Sequence, residues 1–362
     1  MHRTPLHEAC REAGGRLVPF AGWEMPVQFA GVIAEHRAVR ERVGVFDISH
    51  MGVLRLRGDD VKGALQTLVP SDLQRIGPGE AQYTVLLNDA GGIRDDLIIY
   101  DRGVVDGTAE VVTVINAACA EADTTWLRQQ LEPQGITIDD RKGDGVLLAL
   151  QGPEAPALLE RLCGESLAGV PRFGHRDLTI DGAAVFAART GYTGEDGFEL
   201  LLARDAGIAL WRQLLAEGVA PCGLGARDSL RLDAAMHLYG SDMDAATSPL
   251  EASLGWLVHL EMPHDFIGRE ALEHQTAEGV GRRLVGLELQ GRAIARHGYP
   301  VLHEGVVVGE VTSGGWSPTL ERPIALAYVP TALARLGSSL AVEIRGRQEP
   351  ATVVRRPFYR RG

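Results

Sequence analysis

Apolar residues return every three or four positions over residues 32–42, where Val32, Ile33, His36, Val39 and Val43 share one face. That period predicts an amphipathic helix. The pattern then changes to short β-branched and aromatic runs at 53–56, 83–87, 97–100 and 111–115. Turn-formers such as Asn88-Asp89-Ala90-Gly91-Gly92 and Asp101-Arg102-Gly103 separate them, so they read as strands. Helical spacing returns over 119–131, 154–162, 206–217 and 226–236, and strand patterning over 147–150, 185–188 and 199–202. Residues 273–283 are polar and read as a linker. Beyond them the chain is strand-like at 284–289, 306–311, 324–328, 340–344 and 351–354, punctuated by Gly and Pro. The prediction is an α+β body followed by a small all-β module.

Composition excludes several classes. With 362 residues, 45% hydrophobic and 23% charged, the chain is long enough for two or three domains with a sizeable core. No apolar run approaches the ~18 residues of a membrane span. Residues 1–15 mix His2, Arg3, Glu8, Arg11 and Glu12 without the apolar stretch of a secretory signal. Cys10, Cys119, Cys163 and Cys222 are scattered and form no CxxC pair. Reduced thiols in a cytoplasm fit that pattern better than a disulfide framework or a zinc site. The net charge of −12 argues against nucleic acid as the main partner. From Val280 onward, however, 12 basic residues face 6 acidic ones. That basic third suits an acidic partner protein or an anionic ligand tail; the alternative is an ordinary solvated face.

Hairpin arithmetic locates candidate chemistry. If 83–87 pairs with 93–100 across the turn at Asp89–Gly92, paired positions sum to about 180 and Tyr83 lies beside Asp96 or Leu97. If 97–100 pairs with 111–115, the sum is about 212 and Asn116 falls beside Asp96. A three-strand meander thus gathers Tyr83, Asp96 and Asn116 at one edge. A ring, a carboxylate and an amide there suit a flat, hydrogen-bonding heterocycle; the alternative is an exposed strand-end Asp with a turn-stabilising Asn. A second cluster, Thr190-Gly191-Tyr192-Thr193-Gly194-Glu195-Asp196-Gly197-Phe198-Glu199, is either a plain hairpin turn or a glycine-rich approach to a ligand. In the second case Glu199 is a carboxylate for adjacent N–H donors. The third, Cys222-Gly223-Leu224-Gly225-Ala226-Arg227-Asp228-Ser229-Leu230-Arg231, lacks the third glycine of a dinucleotide site. It reads as a glycine-rich helix entry with Asp228 in the first turn, where the dipole favours negative charge. Arg227 and Arg231 then either reach an anion or form surface ion pairs. Phe20–Trp23, residues 46–51 and residues 312–318 read as loops able to line a pocket. No metal-ligand spacing stands out, and no GxSxG, P-loop or HExxH occurs.

Taken in order, these segments resemble the glycine cleavage T-protein family, the aminomethyltransferases. The matching pieces are Phe20-Ala21-Gly22-Trp23, Phe46-Asp47-Ile48-Ser49-His50-Met51, Gly91-Gly92-Ile93-Arg94-Asp95-Asp96-Leu97-Ile98 and Leu150-Gln151-Gly152-Pro153. They continue with Gly191–Gly197, residues 223–231, Leu238-Tyr239-Gly240, Ile267-Gly268-Arg269 and Thr312-Ser313-Gly314, so the resemblance runs end to end.

The resemblance implies a three-domain α+β cloverleaf around a central folate pocket. Two interleaved α+β domains would occupy residues 1–275 and a β-barrel residues 281–362. It implies transfer of a one-carbon unit from the aminomethyl group on the lipoyl arm of H-protein to tetrahydrofolate. The products are 5,10-methylenetetrahydrofolate and ammonia. P-protein and L-protein would be further partners, with no nucleic acid, membrane or metal. The family places the catalytic carboxylate on the second Asp of the Gly-Gly-x-x-Asp-Asp motif, here Asp96. Glu199 and Arg227 would hold folate, with Tyr83, Asn116, Tyr192, Met51 and Tyr100 as further pocket residues. A folate-dependent demethylase of a small methylated substrate is the alternative activity. A folate-binding paralogue in iron–sulfur maintenance is the alternative role without transfer.

Overall fold

The computed structural model describes residues 1–143 and 145–362. The chain divides into two units that alternate along the sequence. The first comprises Met1–Gln66, Asp72–Thr84 and Asp96–Arg227; the second comprises Thr67–Ser71, Val85–Asp95 and Asp228–Gly362.

In the first unit a six-stranded sheet runs in the order His175–Ile180, Ala183–Ala188, Gly197–Ala203, Gly145–Gln151, Gly44–Asp47, Ala220–Cys222. Its pairings are antiparallel except the last. The central strand Gly145–Gln151 is an almost unbroken apolar run, as burial on both faces requires. Its Val146, Leu148 and Leu150 pack with Phe198, Leu200 and Trp211, all inaccessible to solvent. Gly207 of helix Arg204–Ala216 lies so close to Val146 that a Cβ there would approach within 2.3 Å.

A second sheet runs in the order Ala81–Leu87, Ile93–Val105, Thr108–Ile115, Gly52–Gly58, Thr137–Asp140. Strands Ile93–Val105 and Thr108–Ile115 pair with Leu97 opposite Ile115 and Ile98 opposite Val114. That is the register whose positions sum to 212, and Asn116 follows directly on it. Burial alternates over residues 93–99 of Ile93–Val105, with Asp95 wholly buried and Asp96 half-buried. Successive strand residues face opposite sides. Phe20–Trp23 is the turn of a hairpin between Arg16–Phe20 and Trp23–Gln28. Ala21 and Gly22 both take positive φ there, as a two-residue hairpin turn demands. Of residues 46–51, the first two complete strand Gly44–Asp47.

In the second unit a closed barrel of six strands spans residues 282–354, in the order Arg282–Leu289, Arg322–Pro330, Val306–Ser317, Pro300–His303, Ser339–Ile344, Arg347–Val354. Val285, Leu287, Val301, Val311, Ala327, Val342 and Val353 fill its interior. Two expectations are corrected here. The supposed linker at 273–283 is mostly the end of helix Arg269–Glu278. Leu272 anchors it at zero exposure, and Arg269 donates to the carbonyls of Leu260, Met262 and His264. Residues 312–317 belong to strand Val306–Ser317 rather than to a loop. Gly314 passes so close to Ala295 that a Cβ would lie 2.6 Å from its carbonyl oxygen.

The same unit contains a buried ion pair. Arg231 donates to Asp242 Oδ2 at 2.8 Å and to Ser313 Oγ at 2.9 Å. Tyr328 donates its hydroxyl to the Asp242 carbonyl at 2.8 Å. Arg231 is thus a structural residue, 3% exposed, and not the surface ion-pair member that spacing allowed. Asp228, expected near the first turn of a helix, is the fifth residue of helix Leu224–Asp233, just past that turn.

Candidate functional site

Every candidate side chain lies in the first unit. Asp96 is held by two of them. The Tyr83 hydroxyl donates to Asp96 Oδ2 at 3.0 Å, and the Asn116 amide donates to Oδ1 at 2.8 Å. The same amide reaches the Asp96 carbonyl at 3.2 Å. Each oxygen of the carboxylate thus has a donor from a different neighbouring segment, and the rotamer is fixed from both sides. All three side chains are half-buried. A carboxylate held in this way is suited to a developing positive charge or a proton on a reacting nitrogen.

The second group is built on the Ala183–Ala188 and Gly197–Ala203 hairpin, whose register sets Ala188 opposite Glu199. The connecting loop carries Thr190 and Tyr192. Thr190 donates its hydroxyl to Glu199 Oε2 at 2.6 Å. The Tyr100 hydroxyl lies 3.3 Å from Thr190 Oγ1. Thr190 has a single hydroxyl proton, already given to the carboxylate, so Tyr100 is the donor to Thr190. Tyr100 is 1% exposed and packs edge-on to His175 and Phe186. Burial and the nearby Glu199 charge push its phenol well above the usual range, which keeps it a donor.

The loop itself is clamped from beneath. Buried Gln151 donates to the Thr190 carbonyl at 3.0 Å and accepts from Thr193 Oγ1 at 2.8 Å. A Cβ on Gly191 would meet Gln151 Oε1 at 2.0 Å, so only glycine fits between them. Arg40 braces the far side, donating to the Thr193 carbonyl at 2.7 Å and to Glu195 at 3.0 Å.

Arg227 sets its guanidinium over the Tyr192 ring, 4.8 Å from the centroid, a cation–π geometry. Its Nη1 is buried and has no hydrogen-bond partner among the described residues. Desolvation pulls its pKa below the usual value, and the charges of Glu199 and Tyr192 oppose that pull. A buried guanidinium nitrogen of this kind has a donor to give to a water or to a ligand acceptor. His50 is also buried, and desolvation with the positive charges of Arg227 and Lys142 lowers its pKa to about 3, leaving a neutral imidazole.

The structure therefore joins Tyr83, Asp96 and Asn116 by hydrogen bonds. Tyr100 joins Glu199 through Thr190, and Arg227 joins Tyr192 by stacking. Met51 takes part in neither network; it is half-buried in the turn before strand Gly52–Gly58, its amide bonded to the Ile48 carbonyl. Sequence reasoning assigned no role to Thr190, Gln151 or His50. Their signal was membership of the glycine-rich, Leu-Gln-Gly-Pro and Phe-Asp-Ile-Ser-His segments, respectively for Thr190, Gln151 and His50. Together the groups offer a ring, a cation, two carboxylates and an amide, which match a flat heterocycle bearing both donors and acceptors.

Comparison with known proteins identifies the family. The GCVT N-terminal domain matches residues 6–262, and the glycine cleavage T-protein C-terminal barrel domain matches residues 282–360. An aminomethyltransferase of Synechococcus sp. strain RCC307 is 77% identical over 361 residues, covering 100% of this chain and 99% of that protein. An aminomethyltransferase of Synechococcus sp. strain CC9902 is 70% identical, with 100% of both chains covered. The crystal structure of glycine cleavage system aminomethyltransferase T from Bartonella henselae is similar at a TM-score of 0.92 and 35% identity. That match covers 99% of this chain and 98% of that one. Both family domains and relatives matched along their whole length lead to one conclusion: the chain belongs to the glycine cleavage T-protein family, the aminomethyltransferases.

Proposed function

We propose that this aminomethyltransferase takes the one-carbon unit from an aminomethyl group on the lipoyl arm of H-protein and transfers it to tetrahydrofolate. The products are 5,10-methylenetetrahydrofolate, ammonia and the reduced lipoyl arm. The observation that carries the reading is the Asp96 carboxylate, held on one oxygen by Tyr83 and on the other by Asn116.

The site's groups fit a folate. Glu199 is a carboxylate with Oε2 tethered by Thr190, which leaves Oε1 and a second lone pair of Oε2 for the N–H edge of a pterin. The buried, unsatisfied Nη1 of Arg227 supplies a donor for an acceptor on the same molecule. Tyr192 contributes an aromatic face. Tetrahydrofolate, when bound, supplies the nucleophilic nitrogen. The carbon exchanges its bonds to the amine and to the lipoyl sulfur for bonds to two folate nitrogens, and the two protons those nitrogens lose leave on ammonia and on the thiol. Asp96 stabilises the positive charge that develops on the carbon as ammonia departs and relays one of those protons. Tyr83 and Asn116 hold the carboxylate oriented so that little reorganisation accompanies the step. Met51 completes the pocket wall.

Residues 1–275 serve as the folate-binding region and residues 281–362 as the barrel domain. H-protein is the direct partner, with P-protein and L-protein as the other components of the system. The four cysteines are free thiols, which supports a reducing, cytoplasmic location. Among the described residues no helix is long and apolar enough to cross a membrane.

The test mixes the protein with tetrahydrofolate and aminomethylated H-protein and follows both products. Ammonia and methylenetetrahydrofolate should appear in equal amounts. Folate binding with neither product would overturn the reading.

A further inference from the structure

We propose that Thr190 is a positioning residue that sets the selectivity of the site for its heterocycle, acting through the orientation of Glu199. The proposal rests on the reading of Glu199 as the carboxylate that meets the pterin N–H edge.

The geometry has three parts. First, the hydrogen bonds run one way, from the Tyr100 phenol to the Thr190 oxygen and from the Thr190 hydroxyl to Glu199 Oε2. A carboxylate is free to rotate about its last torsion, and exchange of its two oxygens costs little unless one is tethered. The 2.6 Å bond from Thr190 provides that tether. Second, the Thr190 hydroxyl cannot turn away without loss. It is 7% exposed, and the buried Tyr100 hydroxyl occupies its acceptor side. Third, the Thr190 backbone is itself fixed: its carbonyl accepts from buried Gln151, and its amide donates to the Ala188 carbonyl at 2.9 Å.

A tethered carboxylate presents both oxygens in one fixed plane, because Oε2 keeps a second lone pair beside the Thr190 bond. An untethered one still attracts cations and N–H groups, but without preference for the spacing of two adjacent donors. Thr190 therefore contributes to discrimination more than to charge. Loss of its hydroxyl should weaken a ligand bearing the paired N–H donors and leave a ligand lacking one of them almost unaffected.

The test compares calorimetric binding of tetrahydrofolate with that of its 2-desamino analogue, which lacks the amino group and so one member of the adjacent donor pair. The proteins are wild type, Thr190→Val, Thr190→Ser and Glu199→Gln. Thr190→Val should weaken tetrahydrofolate about tenfold, on the scale of a hydrogen bond to a charged group. It should leave the analogue within about twofold, while Thr190→Ser stays close to wild type and kcat at saturating folate changes little. Equal weakening of both ligands would mean a general structural role and would overturn the proposal, as would unchanged binding of both. Glu199→Gln separates the two levels of the argument. If it too leaves discrimination intact, the reading of Glu199 is wrong. If it abolishes discrimination while Thr190→Val does not, only the role of Thr190 falls. Should Thr190→Val fail to fold, Thr190→Ala carries the same prediction.

Discussion

Tyr83 and Asp96 are thirteen residues apart in the chain, and the hydroxyl of one donates to the carboxylate of the other at 3.0 Å. The bond engages Oδ2, while Asn116 holds Oδ1. Removing the phenol oxygen frees one side of the carboxylate without altering its charge. Tyr83→Phe should therefore lower kcat roughly tenfold to a hundredfold, the worth of a hydrogen bond to a charged group. Folate affinity should stay nearly constant. Steady-state kinetics beside a binding titration check this, and a fall in affinity alone would recast Tyr83 as a binding residue.

Glu199 should contribute mainly to binding. Glu199→Ala is expected to weaken tetrahydrofolate by about 1.5–3 kcal/mol, the range for a charged hydrogen bond. Calorimetric titration measures it directly, and unchanged affinity would remove Glu199 from the pterin site.

This much of the site was legible from strand arithmetic, because register is a long-range consequence of local turns. Leu97 opposite Ile115 sets Asn116 beside Asp96, whatever the rest of the chain does. The alternation that buries Asp95 and half-exposes Asp96 likewise follows from the pleat. The support beneath Glu199 was not legible. Tyr100 and Thr190 are 90 residues apart and meet through hydroxyl groups, which leave no period in the sequence. Residues 273–283 read as a linker because the helix they complete, Arg269–Glu278, buries little beyond Leu272. Three carbonyls gathered by Arg269 compensate, and their positions come from tertiary structure. Glycines made residues 312–317 look like a loop. In the strand they allow the close approach of Ala295 that a side chain at Gly314 would block.

The Arg231–Asp242 pair makes a prediction about stability. Both side chains are almost wholly buried, and removing one partner leaves an uncompensated charge. Asp242→Ala should cost about 3 kcal/mol or more in urea unfolding. Asp228 also pairs with Arg231 at 2.9 Å but is 57% exposed. Asp228→Ala should cost less than about 1 kcal/mol, because solvent screens an exposed partner. Equal losses in the two variants would contradict the burial argument.

Acid should destabilise the protein before its carboxylates titrate. Burial lowers His50 to about 3 and His237 to about 4, while both take up protons near 6.5 once unfolded. The folded state therefore excludes protons that the unfolded state binds. The contribution is full above pH 6.5 and declines as pH falls toward those folded values. Each histidine adds a slope of about 1 kcal/mol per pH unit across that window. Unfolding free energies at pH 7 and pH 5 test this, and His237→Gln should flatten the difference. A pH-independent stability over that interval would contradict the buried, neutral assignment.

The central claim is that the charge of Asp96 drives transfer, and the single-turnover rate of Asp96→Asn tests it most directly. Asparagine keeps the shape and one acceptor oxygen but removes the charge. With tetrahydrofolate and aminomethylated H-protein both saturating, the rate should fall at least about a hundredfold to a thousandfold, the scale of a lost charge stabiliser. Tetrahydrofolate should bind within about twofold of wild type. A variant that transfers at a rate comparable to wild type would show that the carboxylate held by Tyr83 and Asn116 is not the catalytic group.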